Sequence, residues 1–131
     1  MRKMKGFSLM ELMIVLIILG LLGSLVAPKM FSKLGSSKIK TAIAQMQMFE
    51  TAIDTFRLDI GLVPSTLQEL RRSDVNGWDG PYLPKNIPMD PWGQPYIYST
   101  PGSDGAPFAI MSYGLDGQPG GEDESADVIH K

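Results

Sequence analysis

Residues 7–27, FSLMELMIVLIILGLLGSLVA, are almost wholly apolar and carry a single charge, Glu11. As a helix, such a run rises about 30 Å, the thickness of a bilayer's hydrocarbon core. Apolar surface of this length needs lipid or other apolar surface around it, so the rest of the chain is read relative to this segment.

Residues 1–6, MRKMKG, place Arg2, Lys3 and Lys5 ahead of the run. Positive flanking charge stays cytoplasmic, which puts the amino end inside and residues beyond the helix on the far side of the membrane. A secretory signal carries its small-residue cleavage site after the apolar stretch, whereas here the small residue, Gly6, comes before it. Cutting at Gly6 would remove the charges and keep the helix. Glu11 then needs a physical account, because a carboxylate in hydrocarbon costs several kcal/mol on simulation scales and about 3 kcal/mol or less on insertion scales. Two readings stand: it pairs with a cation, or it sits near the helix amino end, eased by the helix dipole and headgroup water.

The chain has 131 residues and no cysteine, so disulfides are excluded and an oxidising compartment is tolerated. What lies beyond the apolar segment is small enough to gain from a metal or from neighbours. Formal charge is -2. Loss of Arg2, Lys3 and Lys5 would leave nine basic against fourteen acidic residues, or -5, which excludes a nucleic-acid partner recognised through basic surface.

Gly20, Gly23 and Pro28 weaken the helix, and residues 20–28 are the expected place for a kink or a melted segment, the alternative being glycines that serve helix packing. From Lys29 the pattern turns amphipathic. Ile39, Ile43, Met46, Phe49 or Glu50, Ile53 and Phe56 recur at steps of three and four, predicting one helix to about Leu58 with a flexible junction at Gly35, Ser36 and Ser37. The methionines on that stripe read as core. Gly61 is a helix stop. Ser65 and Gln68 have the spacing of a capping box for a short second helix over 66–72, with Leu67 and Leu70 inward.

Residues 73–95 are loop-rich, with Trp78, Tyr82 and Trp92 as packing anchors and Asp90-Pro91-Trp92-Gly93 as a turn feeding a strand. Residues 94–99 and 107–113 alternate aromatic and branched side chains about a turn at 100–106, an antiparallel hairpin. The fold class is therefore α+β: a long amino-terminal transmembrane and amphipathic helix packed against a small antiparallel sheet. Residues 114–127, GLDGQPGGEDESAD, do not have EF-hand spacing; taken alone they read either as an acidic solvated tail or as a wrapping oxygen-rich loop for calcium. His130 is the only histidine and no acid/base or nucleophile arrangement stands out, so no enzyme is expected.

Gly6, Phe7 and Glu11, in KGFSLMELMIVLIILGLLGSLVAP, resemble the prepilin signature. LDIGLVPSTLQEL at 58–70 resembles the LD-x-G-x-x-P-T-T segment of type II secretion major pseudopilins, with Leu62 and Val63 where arginine and tyrosine are common. Asp90-Pro91-Trp92-Gly93 followed by Tyr96 is a second mark of that family. The resemblance implies the type IV pilin-like fold, a leader at 1–6 cut after Gly6 by a prepilin peptidase that methylates Phe7, a polymerisation helix at 7–28 and a periplasmic head at 29–131. It implies that Glu11 pairs with the amino group of a neighbouring subunit. It also implies a calcium loop at 113–127 with Asp116 and Asp127 as carboxylate ligands, backbone carbonyls of Tyr113 and Gln118, and Ser125 as a further ligand. The chain departs from the family at Ala126, where some members have a second aspartate, and at Val128-Ile129-His130-Lys131, which replaces an Ile-Gly-Asn-Trp type of ending.

The function so implied is that of a structural subunit, anchored in the inner membrane, that polymerises into a periplasmic pseudopilus and helps drive folded proteins outward. Its partners would be copies of itself, minor pseudopilins, the prepilin peptidase and the inner-membrane assembly platform. The alternatives are a type IV pilin subunit for adhesion, motility or DNA uptake, and a monomeric membrane-tethered calcium-binding module.

Overall fold

A single helix, α1 (Leu9–Ile60), accounts for 52 residues of the computed structural model, which describes residues 4–130. Arg2 and Lys3, on which the membrane orientation rests, and Lys131 lie outside the described residues. The chain forms two units, residues 1–34 and residues 35–131.

In the first unit α1 buries nothing. Leu9, Met10, Leu16, Ile17, Leu19, Leu25 and their apolar neighbours through Leu34 are all exposed, and the helix is long and apolar enough to cross a membrane. It stays α-helical from Gly20 through Pro28, the stretch for which a kink or melted segment and packing glycines were the two readings. Proline removes one backbone donor, but the leucines, alanine and methionine around it are strong helix formers, so in the single chain the helix persists.

In the second unit Ala42, Met46, Phe49, Ile53 and Phe56 follow one another at steps of four and three on one face of α1, and each is essentially inaccessible. The stripe differs from the sequence reading at its start: Ala42 is buried and Ile43 is exposed, because a small residue lets the helix approach its neighbours closely. The helix is also continuous through Gly35, Ser36 and Ser37, and Gly35 is buried. α1 stops as expected: Gly61 adopts φ +88° and its N–H returns to the Arg57 carbonyl at 2.7 Å.

The expected second helix is a single 3₁₀ turn, Leu67–Leu70, with Leu67 and Leu70 buried against α1. Its cap differs from the capping box read from Ser65 and Gln68. Thr66 is the N-cap residue and makes no side-chain cap, while the Ser65 N–H donates to the Glu69 carboxylate at 3.1 Å. Ser65 lies one residue ahead of the N-cap, so the carboxylate in the first turn that reaches its amide is four residues on instead of three.

The loop that follows is held by its aromatics. Trp78 Nε1 donates to the Glu69 carbonyl at 2.7 Å, and the Trp78, Tyr82 and Phe56 rings pack edge-on in series. The Tyr82 hydroxyl donates to Asp59 at 2.7 Å while accepting the Asp79 N–H at 2.9 Å, which ties the loop to the end of α1.

Three strands complete the unit: β1 (Ile97–Ser99), β2 (Ala109–Ser112) and β3 (Val128–His130), antiparallel in that order. β1 and β2 are the expected hairpin, trimmed at both ends. The third strand is a correction to the reading of an acidic tail: residues 113–127 connect two strands, and β3 pairs Ser112 with Val128 and Ile110 with His130. The alternation sends Ile110, Ser112 and Val128 inward. His130 reaches α1, where Nε2 lies 2.6 Å from Glu50 Oε2.

Tyr98 donates its hydroxyl to the Pro64 carbonyl at 2.6 Å. Burial first, then the Glu69 charge, pushes its pKa up to about 12 from 10.0, and burial likewise raises Tyr96. The neutral form is the one the fold favours, so this contribution to stability is complete below pH 10 and is lost as pH rises through 12. Alkaline titration of phenolate absorbance should therefore show Tyr96 and Tyr98 ionising only together with loss of the head's structure.

Candidate functional site

At the amino end, Ser8 and Glu11 cap α1 reciprocally. The Glu11 N–H donates to Ser8 Oγ at 3.1 Å, and the Ser8 N–H reaches Glu11 Oε2 at 3.4 Å. This is a capping box, legible in the sequence as S-x-x-E but overlooked there. Glu11 sits in the first turn with no cation beside it among the described residues, and Gly6 and Phe7 are exposed ahead of the helix. The Gly6–Phe7 bond is thus accessible and outside the helix.

The second site is the connection between β2 and β3. It is closed at its base by the Leu115 N–H donating to the Glu124 carbonyl at 2.9 Å, and further out by the Gly120 N–H donating to Asp127 Oδ2 at 3.0 Å. Glycine is required where the two arms meet. Gly114 has φ +75°, and a Cβ there would lie 2.5 Å from the Glu124 carbonyl oxygen and 2.8 Å from that of Ala126. Gly121 has φ +107°, with the Ser125 carbonyl oxygen at 2.3 Å. Bare backbone on one arm therefore faces a row of carbonyls on the other.

The sequence-derived residues fall as follows. Tyr113 follows β2 directly. Asp116 Oδ1 accepts the Gln118 N–H at 3.2 Å, so these two are joined locally. Ser125 belongs to a 3₁₀ turn, Asp123–Ser125, and its N–H donates to the Glu122 carbonyl at 2.9 Å. Asp127 stands on the returning arm just before β3. Its Oδ1 is buried and has no hydrogen-bond partner among the described residues, which leaves a carboxylate oxygen open to a cation. Among the described residues no three carboxylate or imidazole side chains converge on one point. A cation held here would draw most of its ligands from backbone carbonyls, which suits a hard, oxygen-seeking ion and not a transition metal.

Below the loop lies a residue that the sequence reading placed in a turn and in a family motif, with no partner assigned to it. Asp90 is 4% exposed, yet no cation is paired with it among the described residues. Its charge is met by three donors: Oδ1 accepts the N–H groups of Trp92 at 3.1 Å and Gln94 at 2.8 Å, and Oδ2 accepts the Ser112 hydroxyl at 2.6 Å. Ser112 Oγ in turn accepts the Gly114 N–H at 3.1 Å. The negative charge of Asp90 also contributes, after burial, to the raised pKa of Tyr96. The signal was present as a buried-type turn aspartate, but its partner is 22 residues away and reachable only through tertiary pairing.

Comparison with known proteins agrees with this architecture. Residues 29–131 match the family model for type II secretion system (T2SS) protein G, and residues 1–27 match the prokaryotic N-terminal methylation motif. The type II secretion system core protein G of Pseudomonas aeruginosa is 37% identical, with 97% of this chain and 94% of that protein covered. Its counterpart from Vibrio cholerae serotype O1 is 36% identical over 98% and 92%. In three dimensions the chain is similar to the crystal structure of the major pseudopilin from the type 2 secretion system of enterohaemorrhagic Escherichia coli, with a TM-score of 0.63 at 25% identity, covering 75% of this chain and 86% of that one. A long apolar amino-terminal helix followed by a three-stranded antiparallel sheet is the type IV pilin-like fold. Within that class the chain belongs to the type II secretion system protein G family, the major pseudopilins.

Proposed function

We propose that this chain is the structural subunit of a pseudopilus, inserted in the inner membrane with its head in the periplasm, cut after Gly6 and methylated on Phe7. The observation that carries the reading is the amino-terminal helix: a membrane-length window of α1 has none of its residues buried, so it needs lipid first and like helices afterwards. Leaving the bilayer for a filament exchanges one apolar surrounding for another at little cost, provided Glu11 is met. Its carboxylate already faces the helix start through Ser8, one residue from the amino group that cleavage would create on Phe7. A neighbouring subunit's amino group arriving there would fix the axial step between copies. The subunit acts mechanically with no catalytic chemistry of its own, and the rod it builds helps move folded proteins outward, together with minor pseudopilins, the prepilin peptidase and the assembly platform.

The head's loop at 113–127 binds calcium in this reading. Asp127 and Asp116 supply charge, the carbonyls of Tyr113 and Gln118 and the Ser125 residue supply the rest, and the ion joins two arms that otherwise meet through two hydrogen bonds. When bound, the ion contributes a structural clamp and no reaction chemistry.

Replacing Glu11 by Ala tests the assembly role. Intact mass should show normal cleavage, because the cut lies five residues away, while crosslinked ladders of the chain disappear from membranes. Normal ladders from the variant would defeat the register role of Glu11, and an uncut wild type that never crosslinks would point to a monomeric tethered module.

A further inference from the structure

The Tyr113–Gly114 peptide is planar and trans, so the direction of its N–H sets the opposite direction of its carbonyl. That N–H is held by Ser112 Oγ, and Ser112 is held by the buried Asp90. Ser112 is itself inaccessible and lies in β2, while Asp90 is clamped by two amides of its own turn. Neither group has freedom to reorient. We infer that Asp90, acting through Ser112, is a positioning residue for the calcium loop: it fixes where the Tyr113 carbonyl points before any cation arrives.

This rests on the calcium reading proposed above and adds to it a residue outside the loop. The chemistry is directional. Asp90 can only accept, so the Ser112 hydroxyl proton is committed to it and the Ser112 lone pairs are left for the Gly114 N–H. An asparagine at position 90 can present an N–H to Ser112 instead, reversing the relay at nearly constant shape. The second arm also presses close on Gly114, so a small rotation of this peptide moves the Tyr113 oxygen and the base of the loop together. The turn that carries Asp90 is thus coupled to the loop through two hydrogen bonds and one peptide plane.

The test uses the full chain in detergent micelles, stripped with chelator and titrated with calcium while Trp78 and Trp92 fluorescence and the unfolding midpoint are followed. Ser112→Ala and Asp90→Asn should raise the half-saturating calcium concentration tenfold or more. They should shrink the calcium-dependent rise in midpoint, whereas damage that is only structural lowers the midpoint equally with and without calcium. Ser112→Thr, which keeps the hydroxyl, should stay within about threefold of the parent. If either variant fails to fold, hydrogen exchange on the calcium-free parent decides: a protected Gly114 amide supports the relay and a freely exchanging one overturns it. A parent that responds to calcium beside a Ser112→Ala variant that responds equally overturns the positioning role alone. A parent indifferent to calcium overturns the metal reading and this inference with it.

Discussion

Replacing Phe49 by Ala is expected to destabilise the head by about 3–5 kcal/mol, the usual cost of emptying a fully buried aromatic site. Phe49 is wholly inaccessible and its ring meets that of Tyr96 edge-on, with centroids 5.2 Å apart. Tyr96 in turn donates its hydroxyl to Gln45 on α1, so the same ring contact aligns a hydrogen bond between the helix and the residue that leads into β1. Loss of the ring leaves a cavity in the buried cluster that also holds Met46, Ile53 and Ile110, side chains carried on an intact helix and strand. Total stability for a domain of this size is only about 5–15 kcal/mol, so the variant should be near its threshold. Urea unfolding followed by tryptophan fluorescence reads the result directly, because both tryptophans lie in the head. A midpoint within a few tenths molar of the parent would show that the helix stripe is not the core.

Gly114→Ala should cost about 2–4 kcal/mol and open the loop between β2 and β3. The added methyl meets two backbone oxygens closer than real contacts allow, and the residue must also keep φ +75°. Backbone cannot swing aside as a side chain can. Gly35→Ala makes the contrast: there the obstruction is the end of the Glu124 side chain, which can rotate away, and alanine favours the helix by about 1 kcal/mol. Gly114→Ala should therefore be the damaging member of the pair, with faster amide exchange at Leu115 and, on the calcium reading proposed above, a lost calcium response, while Gly35→Ala folds as the parent does. Equal behaviour of the two would contradict the close approach of the arms.

What could be read from the residues was what depends on local pattern. The spacing of Met46, Phe49, Ile53 and Phe56 gave α1 its inner face, Gly61 gave its end, and the alternation at 94–99 and 107–113 gave the hairpin, whose strands are 97–99 and 109–112. The amino-terminal signature was legible because Gly6, Phe7 and Glu11 are neighbours in the chain. What escaped depends on partners remote in sequence. β3 is three residues ending in a histidine, too short to show a period, and it exists because β2 offers an edge and Glu50 meets His130. That pair is half-exposed and contributes about 1 kcal/mol or less, so strand pairing and the burial of Val128 hold the terminus more than the charge does. Asp90 looked like a turn residue because half of its bonding is a turn; the other half crosses to Ser112. The capping box of Ser8 and Glu11 was visible but overshadowed by the question of how a carboxylate survives in an apolar run.

The central claim is that this chain works by polymerising for secretion. The measurement that addresses it most directly is deletion of its gene in the bacterium that carries it, followed by locating a folded exoprotein. The exoprotein should be stranded in the periplasm, with export restored by the wild-type chain but not by Glu11→Ala. Export that continues undiminished, with surface fibres lost instead, would contradict it and make the chain a pilin subunit.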